Sequence, residues 1–220
     1  MAAEIAPLTT SILSISYFGD VVFAFSGALT AARYRMDVVG FVLIGTVTGI
    51  GGGTIRDLLL GRAVWWTKNP FELVLCMVAA LATFVVVGRR INYRRGMIWA
   101  DALGLSAFAV VGCHVALRSG APLVVAIFMG VVTATGGGVF RDVLTNTHPM
   151  ITSGQPYATA ALLGSFTYGL LHHFGAPEIP AELVSVAAGF TLRASAIILD
   201  IRMGPPGEFL RIGKHQSRLG

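Results

Sequence analysis

Seven apolar stretches divide the chain, at Thr9–Ala32, Val38–Leu60, Pro70–Gly88, Met97–Leu117, Ala121–Leu144, Pro156–Phe174 and Ala181–Ile201. A helix that crosses a bilayer takes roughly 20 mostly apolar residues, so the pattern predicts seven transmembrane helices. The breaks between them are short and carry turn residues, among them Tyr34-Arg35-Met36-Asp37, Thr67-Lys68-Asn69-Pro70 and Gly120-Ala121-Pro122.

The apolar pattern hides a duplication. Gly51-Gly52-Gly53-Thr54-Ile55-Arg56-Asp57 returns 85 residues later as Gly136-Gly137-Gly138-Val139-Phe140-Arg141-Asp142. Around it, Gly45–Leu59 matches Gly130–Leu144 at nine of fifteen positions. Upstream, Phe23–Gly27 aligns with Phe108–Gly112 and Arg33 with Arg118; downstream, Pro70-Phe71 meets Pro156-Tyr157 with one residue of slip. Each unit holds three helices. Three is odd, so the second unit enters the membrane from the opposite face. The fold class expected is therefore all-α integral membrane, with two inverted three-helix repeats plus a seventh helix. Residues 1–203 would form one transmembrane domain, with repeat one at about 9–88, repeat two at about 97–175 and the seventh helix at about 181–201. Residues 204–220 would form a cytoplasmic tail. Inverted repeats with broken helices place binding or permeation sites near the midplane.

The repeated motif is costly in a membrane. Each Gly disfavours a helix by about 1 kcal/mol relative to Ala, so three in a row are expected to open or kink helices two and five. Freed carbonyls would have to face protein or a watery path. Gly51, Gly52, Gly53, Gly136, Gly137 and Gly138 are thus candidates for the ion pathway, with the matched hydroxyls of Thr48 and Thr133 one turn earlier; close helix packing and back-bonded threonines are the plainer alternatives. Adjacent residues point about 100° apart on a helix. The expected ion pairs therefore cross between halves, Arg56 with Asp142 and Arg141 with Asp57, as locks or gates. Asp20 and Asp101 are placed at a wet interface, and Arg193 is left as an ion-pair partner, a lipid ligand or an oligomer contact.

Composition supports a membrane class and excludes others. Of the 220 residues 55% are hydrophobic and 12% charged, with mean hydropathy +0.74, against about 25% charged in soluble domains. The net charge of +5 could suggest nucleic acid, but the basic residues gather at helix ends, as topology signals do. Ten of them (Arg33, Arg35, Arg89, Arg90, Arg94, Arg95, Arg202, Arg211, Lys214 and Arg218) fall on one side of the bilayer. Three (Arg62, Lys68 and Arg118) fall on the other. This bias puts the N-terminus outside and the C-terminus in the cytoplasm of a cell inner membrane. No removable signal peptide is expected. Cys76 and Cys113 sit in apolar helices as small hydrophobes, the histidines lack metal-ligand spacing, and Trp65, Trp66 and Trp99 read as interfacial anchors. No cofactor and no catalytic residue is expected.

One local match misleads. Gly52 to Arg62 is similar to a segment of tRNA nucleotidyltransferases, but those enzymes need a nearby Asp-x-Asp, and residues 63–70 supply none. The paired triplets, the inverted halves and the seventh helix instead resemble the trimeric intracellular cation (TRIC) channel family. The Arg-Asp after each triplet resembles its bacterial and archaeal branch, and the likeness runs from about Ser16 to Ile201. It implies a homotrimer with one hourglass pore per protomer between the halves. It also implies monovalent cation conduction, chiefly of K+, with K+ as permeating ion and lipid as a bound partner. The chain lacks a TVGYG-like filter, so strong K+ over Na+ selectivity is not expected. A secondary transporter of a small solute such as an amino acid is the competing reading, since the same architecture serves both.

Overall fold

The computed structural model describes residues 10–87, 93–203 and 211–212. Its helices are α1 (Thr10–Arg33), α2 (Val38–Leu59), α3 (Phe71–Val86), α4 (Tyr93–Arg118), α5 (Leu123–Leu144), α6 (Ala158–His173) and α7 (Glu178–Ile198). Five are long and apolar enough to cross a membrane. The third of each half, α3 and α6, has only 16 residues, about 24 Å at 1.5 Å per residue. Past α7, β1 (Ile201–Arg202) pairs antiparallel with β2 (Arg211–Ile212). The rest of the expected tail, and residues 88–92 with Arg89 and Arg90, lie outside the described residues.

Local chemistry sets the helix ends. Asp37 caps α2, its carboxylate accepting from the Gly40 N–H at 2.8 Å. At the other end of α2 the Arg62 N–H reaches back to the Asp57 carbonyl at 2.9 Å. After α5 the Thr147 N–H reaches the Asp142 carbonyl at 2.8 Å. Such closures need one residue in the left-handed region. Gly61 (φ 65°) and Asn146 (φ 51°) supply it, the two residue types that take that conformation most readily.

Helices α1, α2, α4 and α5 form the centre, with α4 the most enclosed. Their contacts repeat in pairs. A side chain at Gly19 would strike Phe108, and one at Gly104 would strike Phe23. Gly27 backs onto the Thr48 side chain, and Gly112 onto that of Thr133. Gly45 meets the Ala24 carbonyl, and Gly130 that of Ala109. Every pair obeys the offset of 85, so the halves are related by a two-fold axis. Residues that meet their own counterparts mark that axis. Phe23 and Phe108 do so with ring centroids 5.2 Å apart, as do Gly52 and Gly137.

The glycine triplets do not open their helices, as one form of the expectation had it. Both α2 and α5 run as unbroken α-helices through them. Their carbonyls are therefore not freed. The glycines serve approach instead: a Cβ on Gly52 would collide with the Thr133 carbonyl, and one on Gly137 with the Thr48 carbonyl. The helix-propensity cost of glycine is offset by backbone-to-backbone packing that no other residue permits.

Candidate functional site

The α2–α5 crossing is antiparallel, since Thr48 lies against Gly137 while Gly52 lies against Thr133. Each Arg-Asp pair sits about one turn past the crossing, on opposite sides of it. On this register Asp142 lies level with residue 43, which separates it from Arg56 by about 20 Å along the axis. The expected pairs Arg56–Asp142 and Arg141–Asp57 are therefore not formed.

Each arginine pairs with its own neighbour. Arg56 Nε donates to Asp57 Oδ1 at 2.9 Å, and Arg141 Nε to Asp142 Oδ1 at 2.8 Å. The 100° between adjacent Cβ atoms is no obstacle, because a long guanidinium arm folds back along the helix. The free oxygen of each carboxylate holds the following loop. Asp57 Oδ2 accepts from the Trp65 N–H at 3.2 Å, and Asp142 Oδ2 from the Met150 N–H at 2.9 Å. Those residues open two single 3₁₀ turns, Trp65–Thr67 and Met150–Thr152. The motif is thus a corner: the Asp ties down the returning chain, and the Arg neutralises the Asp inside the protein.

Around this shared corner the halves differ. Arg141 is fully buried, and its Nη1 donates to Asp101 Oδ1 and to Ser26 Oγ, each at 2.7 Å. Arg193 of α7 lies close by, donating to Gln155 Oε1 at 3.1 Å with its guanidinium 5.2 Å from the Tyr157 ring. In the first half the Arg56 guanidinium stacks 5.3 Å from the Trp65 ring. Its acidic surroundings are Asp20 of α1 and Glu72 of α3. Asp20 and Asp101 are fully buried rather than at a wet interface.

A polar cavity opens beside each corner. The first, of about 220 Å³, is lined by Ser16, Asp20, Gly53, Arg56, Arg62, Glu72 and Thr133 among others. Arg62 Nη1 crosses to Ser119 Oγ at 2.7 Å. Burial draws the Arg62 guanidinium down from its ordinary value, with Asp57 opposing. The second cavity, of about 560 Å³, is lined by Thr30, Arg33, Arg94, Asp142, Thr147, Gln155 and Arg202 among others. Thr48 and Thr133 turn their hydroxyls back onto their own helices, to the Ile44 and Met129 carbonyls at 2.6 Å each. Thr133 borders the first cavity, whereas Thr48 is fully buried. Sequence reasoning missed Glu72, Ser26, Gln155 and Tyr157. The repeat offers one clue, because the offset that links the triplets also links Glu72 to Tyr157 beside the two arginines.

Two inverted halves, a glycine crossing on their axis and a polar cavity at each end define a polytopic membrane protein with internal two-fold symmetry. A family model described as "Glycine transporter" matches residues 13–87 and 98–173, one match in each half. The UPF0126 inner membrane protein YadS of Escherichia coli (strain K12) is 38% identical over 188 residues, 84% of this chain and 91% of its own length. A TRIC trimeric intracellular cation channel orthologue from Rhodobacter sphaeroides superposes with a TM-score of 0.84 at 45% identity, over 86% of this chain and 98% of that one. A second solved TRIC cation channel gives 0.77 at 35% identity, over 93% and 98%. The chain belongs to this family, in its bacterial and archaeal branch.

Proposed function

We propose that the protein is a monovalent cation channel, permeable to K+, with its conduction path inside each protomer between the inverted halves. The observation that carries this reading is the pair of polar cavities at opposite ends of one α1–α2–α4–α5 core, each beside an Arg-Asp corner. The proposed path joins them past the glycine crossing, with the tilted Phe23–Phe108 ring pair as its narrow point. Thr133 and Gly53 line its first-half mouth. The relatives solved as TRIC cation channels support the same reading. So does the trimer in the name of the Rhodobacter sphaeroides relative, from which we take a homotrimer embedded in lipid. By the basic-residue bias, the first cavity faces outward and the second faces the cytoplasm.

The competing reading is a secondary transporter of a small solute such as an amino acid, for which glycine, the solute in the family model's description, is the probe. Purified protein in K+-loaded proteoliposomes separates the two. A channel gives K+ efflux that needs only a counter-ion path and is indifferent to glycine. A carrier gives saturable, cation-coupled glycine uptake. Uptake of that kind without free K+ efflux would overturn the channel reading.

A further inference from the structure

We propose that Asp20 and Glu72 hold one monovalent cation in the first-half cavity. Asp20 is fully buried on α1, and among the described residues neither of its carboxylate oxygens has a hydrogen-bond partner. A buried carboxylate in that condition is costly unless a cation or a proton compensates it. The nearest fixed cation is already engaged: Arg56 gives Nε and Nη2 to Asp57 and its face to Trp65. Glu72 lines the same cavity and is a like-charged neighbour of Asp20, so it adds to the demand rather than meeting it.

Charge and room both point to a small cation. Asp20 and Glu72 line this cavity with Arg56 and Arg62, and Asp57 lies behind it on Arg56; three carboxylates against two guanidiniums leave one negative charge when all are ionised. One K+ or Na+ cancels it, and a divalent ion would overshoot. The cavity, about 220 Å³, exceeds the order of 10–15 Å³ that one water needs, so a cation can keep part of its water shell. The ligands on offer are carboxylate and hydroxyl oxygens, from Asp20, Glu72 and Ser16, which suit a hard ion.

Among the described residues the second half shows no unpaired acid of this kind at the matching position. Asp101 binds Arg141 directly at 2.7 Å. At the repeat offset Asp20 corresponds to Leu105, and Asp101 to Ser16. The acid has moved one helical turn along α1, off the arginine and into the cavity.

The site rests on the channel reading only for its place on a conduction path, and its occupancy can be measured without transport. Thermal unfolding of the detergent-purified protein is followed in KCl, NaCl and N-methylglucamine chloride at equal ionic strength. The expected result is a higher midpoint in K+ and Na+ than in N-methylglucamine. Asp20→Asn and Glu72→Gln are each expected to raise the half-saturating K+ concentration by about tenfold or more, as loss of a buried charged partner does. Asp20→Asn removes the unpaired charge itself, so its fold is not at risk. Crystals grown in Tl+ should show anomalous density against the Asp20 carboxylate. An identical salt response in wild type and both variants would overturn the site. So would wild type showing no cation shift at neutral pH, which would assign Asp20 a proton instead. A K+ shift in a protein that passes no K+ would leave the site standing and remove the channel.

Discussion

The corners at Arg56-Asp57 and Arg141-Asp142 share a backbone device and differ in everything around it. In both, the Asp carboxylate holds the N–H that opens a 3₁₀ turn, and the adjacent Arg neutralises it. In the second corner a further acid, Asp101, reaches the arginine from α4. In the first, the acids face a cavity instead. Duplication preserved what the chain needs in order to turn at the end of α2 and α5. It left free the residues that decide whether a further acid pairs with the corner's arginine or faces the adjoining cavity. The motif is therefore the scaffold, and its neighbours carry the functional difference.

That contrast breaks most visibly at the second corner. Arg141→Gln leaves Asp101 and Asp142 as uncompensated buried acids, and removing one partner of a buried pair costs about 3–5 kcal/mol. Loss of most folded protein, or a large drop in melting temperature by fluorescence-detected size exclusion, is the expected outcome. Arg56→Gln in the first corner should cost clearly less, because it strips the arginine from one paired acid, Asp57, rather than from two. Equal losses would dissolve the contrast.

The crossing between the corners should treat both halves alike. Gly52→Ala and Gly137→Ala each press a methyl onto a helix carbonyl that cannot move aside. Overpacking of this kind costs about 1–3 kcal/mol, more than the helix propensity of Ala returns. Gly96→Ala is the control, meeting only the mobile end of Leu29, and it should melt at or above the wild-type temperature. If the two crossing variants were as stable as that control, the glycines would have to serve bending after all.

A finer test sets the two buried acids against each other. Asp101→Asn weakens a direct ion pair and should lower the melting temperature, whereas Asp20→Asn relieves an unpaired charge and should leave it unchanged or raised in K+-free buffer. The reverse order would contradict the assignment of the halves. The smallest effect is expected at Thr48→Val and Thr133→Val, where a hydroxyl bonded back to its own helix is lost. Each should change stability by less than about 1 kcal/mol.

The seven helices and the inverted duplication were legible in the sequence, because apolar length and a constant offset are both properties of one dimension. The family likeness was legible for the same reason, through the paired triplets. The behaviour of the triplets was not. Helix propensity argues for a break, and only the neighbouring helix reveals that Gly52 and Gly137 are needed for contact with Thr133 and Thr48. The ion pairs were misread because the sequence gives a matched position but not the antiparallel register that puts Arg56 and Asp142 on opposite sides of the crossing. Glu72 drew no notice in an apolar helix start, since its partner in the cavity, Asp20, lies 52 residues away.

The central claim is a cation path between the halves, and unitary current in planar bilayers under a KCl gradient tests it most directly. The account predicts discrete openings that reverse near the K+ equilibrium potential, with Asp20→Asn shifting the reversal toward that of Cl⁻. Bilayers that stay silent, or openings that reverse near the Cl⁻ potential in the wild-type protein, would contradict it.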